Sequence, residues 1–175
     1  MDAMQRRQQV RRIVEETEQP MSASALAKTL NVSRQVIVGD VALLRAEGCD
    51  IISTARGYLC PKNENTNRYI AKLACRHHKE QTKNELYTIV DMGGSVSDVI
   101  VEHSVYGELS VRLELHCRRD VDLFLERFAG SEARLLSDLT DGLHLHTISC
   151  PDAETFAIIK GALQAQDFLY PEEST

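Results

Sequence analysis

Tryptophan is absent from this 175-residue chain, and aromatic residues make up only 5 % of it. A core built from it must therefore be mainly aliphatic. No stretch approaches the roughly 18 consecutive apolar residues that a membrane-spanning helix needs. The opening stretch, MDAMQRRQQVRRIVEE, is charged and lacks the apolar centre of a signal peptide, so a cytoplasmic protein is expected. The five cysteines (Cys49, Cys60, Cys75, Cys117, Cys150) are odd in number, scattered, and never spaced as CxxC. That pattern fits small buried thiols in a reducing compartment better than a disulfide framework. Neither a Ser/His/Asp triad nor a phosphate-binding glycine loop stands out, and Met92-Gly93-Gly94-Ser95 reads most simply as a helix stop. No internal repeat or low-complexity tract is present.

The chain does have enough hydrophobic residues, 43 %, for a packed interior, and a length that suits one large domain or two small ones. Its net charge of −6 is unevenly spread. Residues 1–60 carry eight Lys/Arg against seven Asp/Glu, and the remainder carries twelve against nineteen. The acidic remainder would repel DNA and the first third would not, which points to two modules. Between them, CPKNENTNRY has a proline, three asparagines and no apolar period, and reads as a linker. The organisation expected is a first domain over 1–60, a linker over 61–67 and a second domain over 68–175.

In the first third, Val10, Ile13 and Val14 recur at helical spacing before Pro20. Ser22 or Ser24 can cap a short helix running to Leu30. After the turn at NVS, Ser33 can cap a second helix reaching about Glu47, with Ile37, Val41 and Leu44 as its inward stripe. Two helices joined by a short turn, the second opening on polar residues, match a DNA-reading pair. The side chains expected to reach base edges are Ser33, Arg34, Gln35 and Val38, since arginine pairs with guanine and glutamine with adenine. CDIISTARGYLC reads as a hairpin wing with Arg56 at its tip, placed for phosphate or the minor groove. An ordinary three-helix bundle with solvated basic faces is the simpler rival. The stretch SASALAKTLNVSRQVIVGDVALLRAEGCDIISTARGYLC resembles the winged helix-turn-helix of many bacterial repressors. Gly39 stands where a polar or basic helix former is commoner in that family, and weakens the helix by up to about 1 kcal/mol relative to Ala.

The second module mixes elements. RYIAKLAC reads as a strand, KEQTKNELYTIVDMGG as a helix, VSDVIVEHSVYGELSVRLELH as a hairpin, RDVDLFLERFAGS as a helix, GLHLHTIS as a strand and DAETFAIIKGALQAQ as a last helix. Hairpins and helices so interleaved predict an α+β domain with an antiparallel sheet. On the GLHLHTIS strand, His144 and His146 share one face, with Cα atoms roughly 6.5–7 Å apart. Leu143, Leu145 and Thr147 take the other. If the leucines line the helix-packed core, the histidines face a pocket or solvent. His77, at the end of the first strand, and Glu85, eight residues on, are further candidates if a loop separates them. Three imidazoles and a carboxylate suit Zn, Ni, Fe or Mn. By spacing alone, HxH is about as often an accident of an exposed strand. His103, near the hairpin turn, reads as a hydrogen-bonded structural residue, and His78 and His116 fit no pattern.

The segments CRHHKEQTKNELYTIVDMGG, DVIVEHSVYGEL, RDVDLFLERF and LTDGLHLHTI resemble the three-histidine (3H) domain. The order winged helix-turn-helix then 3H domain is similar, over about residues 4–170, to the NiaR/YrxA-type family of nicotinate-responsive repressors of NAD biosynthesis. That resemblance implies a non-enzymatic repressor of double-stranded operator DNA, a homodimer formed largely through the second domain, and nicotinic acid as co-repressor. It also implies a divalent metal on His77, Glu85, His144 and His146, and ligand contacts from His103, Tyr106 and Glu108. Ser104 replaces a proline usual in that segment. A metal-dependent enzyme and a direct metal sensor fused to a helix-turn-helix are the alternatives.

Overall fold

A computed structural model describes residues 2–61, 67–129 and 131–171. The chain divides into two compact units, Met1–Asn65 and Thr66–Thr175. Most of the linker expected over 61–67 lies outside the described residues.

In the first unit, α1 spans Ala3–Glu16, α2 Ala23–Leu30 and α3 Arg34–Ala46. Each begins where a side chain satisfies an orphan amide. Asp2 and Gln5 form a reciprocal capping box on α1, Ser22 caps α2, and Ser33 caps α3. Of the two serines proposed for α2, the first is the one used. Asn31 ends α2 in the left-handed conformation, which tightens the turn into α3. Val10, Val14, Leu26, Ile37, Val41 and Leu44 interlock as an aliphatic core, each side chain contributing about 1.5–3 kcal/mol of burial. Strands β1 (Ile52–Thr54) and β2 (Gly57–Leu59) form the antiparallel wing. Met21 and Tyr58 exchange two 2.9 Å backbone hydrogen bonds that tie the wing to the start of α2. The approach is so close that a Cβ on Gly57 would lie 2.4 Å from the Met21 backbone. Only glycine fits there.

In the second unit, β3 (Tyr69–Arg76), β4 (Ser95–His103), β5 (Gly107–Leu115) and β6 (Leu143–Cys150) form one antiparallel sheet in the order β3-β6-β4-β5. Helices α4 (Thr82–Asp91), α5 (Arg118–Glu126) and α6 (Ala153–Ala165) form a layer packed on it. The α+β expectation holds. Two short 3-10 turns complete the unit, Lys79–Gln81 before α4 and Leu136–Thr140 before β6. The first lets the chain reverse between His77 and Glu85, as their convergence required. The second was not expected, since its residues carry no helical period.

The condition that the β6 leucines line the helix-packed core is not met. Along β6 the buried positions are His144, His146, Ile148 and Cys150, whereas Leu143, Leu145 and Thr147 are only half-buried. The histidines, not the leucines, face the helices. The helix layer sits on one side of the sheet, and α4 brings a buried carboxylate to it that can meet imidazoles but not leucines.

Candidate metal and ligand site

Three segments converge on Glu85. It lies in the first turn of α4 and is completely buried. His77 follows the end of β3, and His144 and His146 project from β6. Their Nε2 atoms lie 2.7, 3.2 and 3.6 Å, respectively, from a Glu85 carboxylate oxygen. All three rings are buried. The strand period alone placed two of them on one side. Fold topology supplied the other two groups, because β3 pairs with β6 and its end delivers His77 beside His144. The His77 and His144 rings stand edge to face, 4.9 Å between centroids.

The second nitrogen of each ring settles where its proton is. His77 Nδ1 lies 2.9 Å from the His78 carbonyl, His144 Nδ1 2.8 Å from the Gly142 carbonyl, and His146 Nδ1 2.7 Å from the Asp98 carbonyl. A carbonyl only accepts, so each Nδ1 must donate. A neutral ring then presents a bare Nε2 lone pair to Glu85, whose carboxylate has only lone pairs of its own. The 2.7 Å approach of His77 Nε2 to Glu85 Oε2 is misaligned for a hydrogen bond, and both atoms are buried without a hydrogen-bond partner. Such an arrangement is satisfied in two ways: by protonated rings or by a cation. In the ion-free protein, burial works to raise the Glu85 carboxyl. The imidazoles overcome it, His146 foremost through its charge, and hold Glu85 well below the usual carboxylate range. Burial likewise works to lower His77 and His146, and the adjoining Glu85 carboxylate prevails and raises both.

By residue type the donor set suits a borderline divalent ion, and the described donor atoms that all lie within 4.8 Å of one another are those of Cys75, Glu85 and His144. Two ligands of one such ion lie within twice a bond of about 2.1 Å, and all three imidazole nitrogens meet that limit relative to the carboxylate. The outer shell of carbonyls fixes tautomer and ring direction, as metal-binding histidines require. Gly142, at φ +86°, belongs to that shell, and a Cβ there would come 2.5 Å from the His77 carbonyl oxygen. Cys75, paired across the strands with His144, also has its sulfur within 4.8 Å of Glu85 and His144 donor atoms. Burial, then the Glu85 charge, pushes this thiol up, so it stays protonated.

Beside the cluster lies a cavity of about 170 Å³. Glu85, His144 and His146 form part of its wall, with Leu86, Val99, Val111, Leu113, Phe124, Phe128, Leu135 and Leu136 supplying apolar surface. Thr82, Arg134 and Ser137 complete the lining. None of these last three was signalled by sequence pattern, nor was Asp98, whose contribution is a backbone carbonyl at a β-bulge.

His103, Tyr106 and Glu108 are placed elsewhere, at the β4–β5 hairpin tip, and none lines the cavity. His103 Nδ1 accepts from the amides of Val105 and Tyr106, at 3.2 Å each, and so braces the turn. That is the hydrogen-bonded structural role expected from its position alone. Tyr106 is 75 % exposed. His78 and His116 are exposed.

In the first unit, Arg34 and Gln35 are exposed in the first turn of α3. The Ser33 hydroxyl is engaged as a cap, accepting from the Val36 amide at 3.3 Å, and Val38 is half-buried against the core. Arg56 occupies the wing turn, and its guanidinium donates to Gln19 Oε1 at 3.0 Å.

Comparison with known proteins agrees with this division. Residues 6–59 match the family described as HTH domain, and residues 70–172 match the 3H domain. The transcription repressor NadR of Bacillus subtilis (strain 168) is 41 % identical over 152 residues, 84 % of this chain and 83 % of that protein. The probable transcription repressor NiaR of Thermotoga maritima is 40 % identical over 162 residues, covering 92 % of this chain and 91 % of its own.

Proposed function

This chain belongs to the family of helix-turn-helix and 3H transcription repressors that includes NadR and NiaR, and from that premise we propose that it represses genes of NAD biosynthesis and nicotinate uptake, with nicotinic acid as co-repressor. The observation that carries the effector site is the set of three buried imidazoles whose Nδ1 atoms are committed to main-chain carbonyls while their Nε2 atoms converge on one buried carboxylate. His77, Glu85, His144 and His146 would hold a divalent transition ion such as nickel, zinc, iron or manganese. Once bound, it supplies an electron-pair acceptor beside the apolar cavity. The carbonyls of His78, Gly142 and Asp98 hold the rings in place, and the cavity walls exclude water from the ligand.

The first unit does the reading of DNA. Arg34 and Gln35 are the side chains proposed for base edges, while Ser33, as the cap, sets where the recognition helix begins, and Val38 and Arg56 border the contact. As a homodimer in the cytoplasm, the protein would present two such helices to major grooves about 34–36 Å apart on a two-fold operator. Nicotinate strengthens repression only if it binds the DNA-competent dimer more tightly than the other form.

The test is a titration of operator DNA, recovered by selection from a random pool, with ion alone, nicotinate alone and both together. The expected result is tight binding only with both. A full response to the ion alone makes the metal the effector and overturns the co-repressor reading.

A further inference from the structure

The wing is too small to set its own direction. Its strands carry three residues each, and a lone two-stranded hairpin is marginal in water without outside support. Within itself it is stiff. Thr54 Oγ1 accepts from the amides of Arg56 and Gly57, at 3.1 and 3.2 Å, and donates to the Gly57 carbonyl at 2.9 Å. The turn that carries Arg56 therefore moves with its strands as one piece. What is left to fix is the angle of that piece to α3.

Two anchors fix it. The first is the backbone exchange between Tyr58 and Met21, which pins β2 to the start of α2. One pinned strand still leaves a hinge. The second anchor is a single side chain, Arg45, in the last turn of α3. Its Nε donates to the Ile51 carbonyl at 2.6 Å, and a terminal nitrogen donates to Ser53 Oγ at 2.8 Å, both on the β1 side of the hairpin. Its guanidinium carbon also lies 5.7 Å from the centroid of the Tyr58 ring, and Tyr58 is the cross-strand partner of Ser53. One side chain from the helix thus grips both strands. Arg45 is exposed, and among the described residues no carboxylate pairs with it. Its fork is spent on two uncharged acceptors that hold the wing.

We propose that Arg45 is a positioning residue for DNA binding: it sets the angle at which Arg56 reaches the duplex while Arg34 and Gln35 occupy the major groove. The proposal rests on the reading that both α3 and the wing touch the operator, and it adds the part that couples them. A planar fork can serve two acceptors and lie over a ring at once, and a lysine ammonium cannot. Arg45→Lys therefore keeps the charge and loses the grip.

The experiment uses operator DNA selected with the wild-type full chain in zinc and nicotinate. Under the same conditions it is titrated with wild type, Arg45→Lys, Ser53→Ala, Arg56→Ala, and the two double variants that join Arg56→Ala to each of the others. Melting curves confirm that each protein is folded at the temperature of titration. Arg56→Ala measures what the wing contributes. Arg45→Lys is expected to lose most of that factor and Ser53→Ala part of it, with base preference under α3 unchanged. Each double variant should bind within about 2-fold of Arg56→Ala alone, because a wing without its arginine has nothing left to aim.

Wild-type affinity in Arg45→Lys, beside a weakened Arg56→Ala, overturns the positioning role and keeps the wing reading. Losses that multiply in the double variants overturn it too, since Arg45 then acts on the duplex or on the fold by itself. Wild-type affinity in Arg56→Ala overturns the wing reading and the proposal together. Should Arg45→Lys melt below the temperature of titration, the Ser53→Ala cycle decides by the same criterion.

Discussion

Asp40 in the first unit and Glu85 in the second are both buried beside basic groups, and the two are handled in opposite ways. In the head, Asp40 on α3 receives Arg6 of α1 through two hydrogen bonds, Nε to Oδ2 at 2.6 Å and a terminal nitrogen to Oδ1 at 3.1 Å. Both oxygens have donors, the charges cancel, and the pair ties two helices together. In the body, Glu85 faces three imidazoles whose donating nitrogens are committed elsewhere. The first arrangement is closed. The second is complete only with a proton or an ion added. Burial of charge alone therefore does not mark a binding site; burial with the partners' protons turned away does.

The largest effect should come from emptying the open site. Replacing His144 and His146 by Ala together is expected to lower metal affinity by more than about 100-fold, beyond what outer-shell changes cost. The effector response should vanish and the head should stay folded. Metal analysis after dialysis checks this, and full retention of the ion in the double variant would contradict the assignment of His77, Glu85, His144 and His146.

A loss nearly as large is expected for DNA. Arg34→Ala should weaken specific operator binding by about 10–100-fold and relax the sequence preference at one position. Metal content should not change. Arg56→Ala should weaken binding more evenly across sequences and flatten the salt dependence by about one ion. Gel-shift titrations at several salt concentrations separate the two.

The closed pair gives a smaller, purely structural readout. Arg6→Ala leaves Asp40 buried without its donors, and the head's unfolding transition should fall by about 5 °C or more in calorimetry. Arg6→Met combined with Asp40→Leu should restore most of it, because a buried pair replaced by apolar groups is tolerated better than one broken.

The subtlest contrast is in pH. In the ion-free body, Glu85 is held low, so its contribution is present above the unfolded carboxyl value of about 4.3 and is lost as pH falls through its lower folded value. His77 and His146 are held high, so theirs is complete below about 6.5 and is lost as pH rises through their folded values. Ion-free body should thus be most stable between about pH 4.3 and 6.5. Added metal, which needs bare imidazoles, should stabilise it most above that window. Melting curves with and without chelator show whether the two forms diverge toward high pH.

Much of this was legible in the residues. Ser22 and Ser33 announce helix starts through chemistry local to three residues, and the period of two on β6 sets His144 beside His146 before any tertiary contact is known. The polarity of that strand was not legible. Leucines are the usual inward residues, and only the arrival of α4 with its carboxylate makes the histidine face the covered one. Cys75, Gly142 and the Asp98 carbonyl escaped for a related reason. Register between distant strands places them, and a backbone oxygen has no sequence signature. Arg134 and Thr82 belong to no periodic stripe, so nothing local distinguishes them from other surface arginines and helix-opening threonines.

The carbonyls that receive the ring protons come from three separate stretches: after β3, before β6, and within the bulge of β4. Sliding β6 by one residue against its neighbours would turn both its histidines to the other face, away from Glu85, and break the His146–Asp98 contact. The cluster thus works as a rivet through the sheet. Fastening or releasing it alters the slow opening of three backbone segments together, and amide hydrogen exchange can follow that without watching the imidazoles at all.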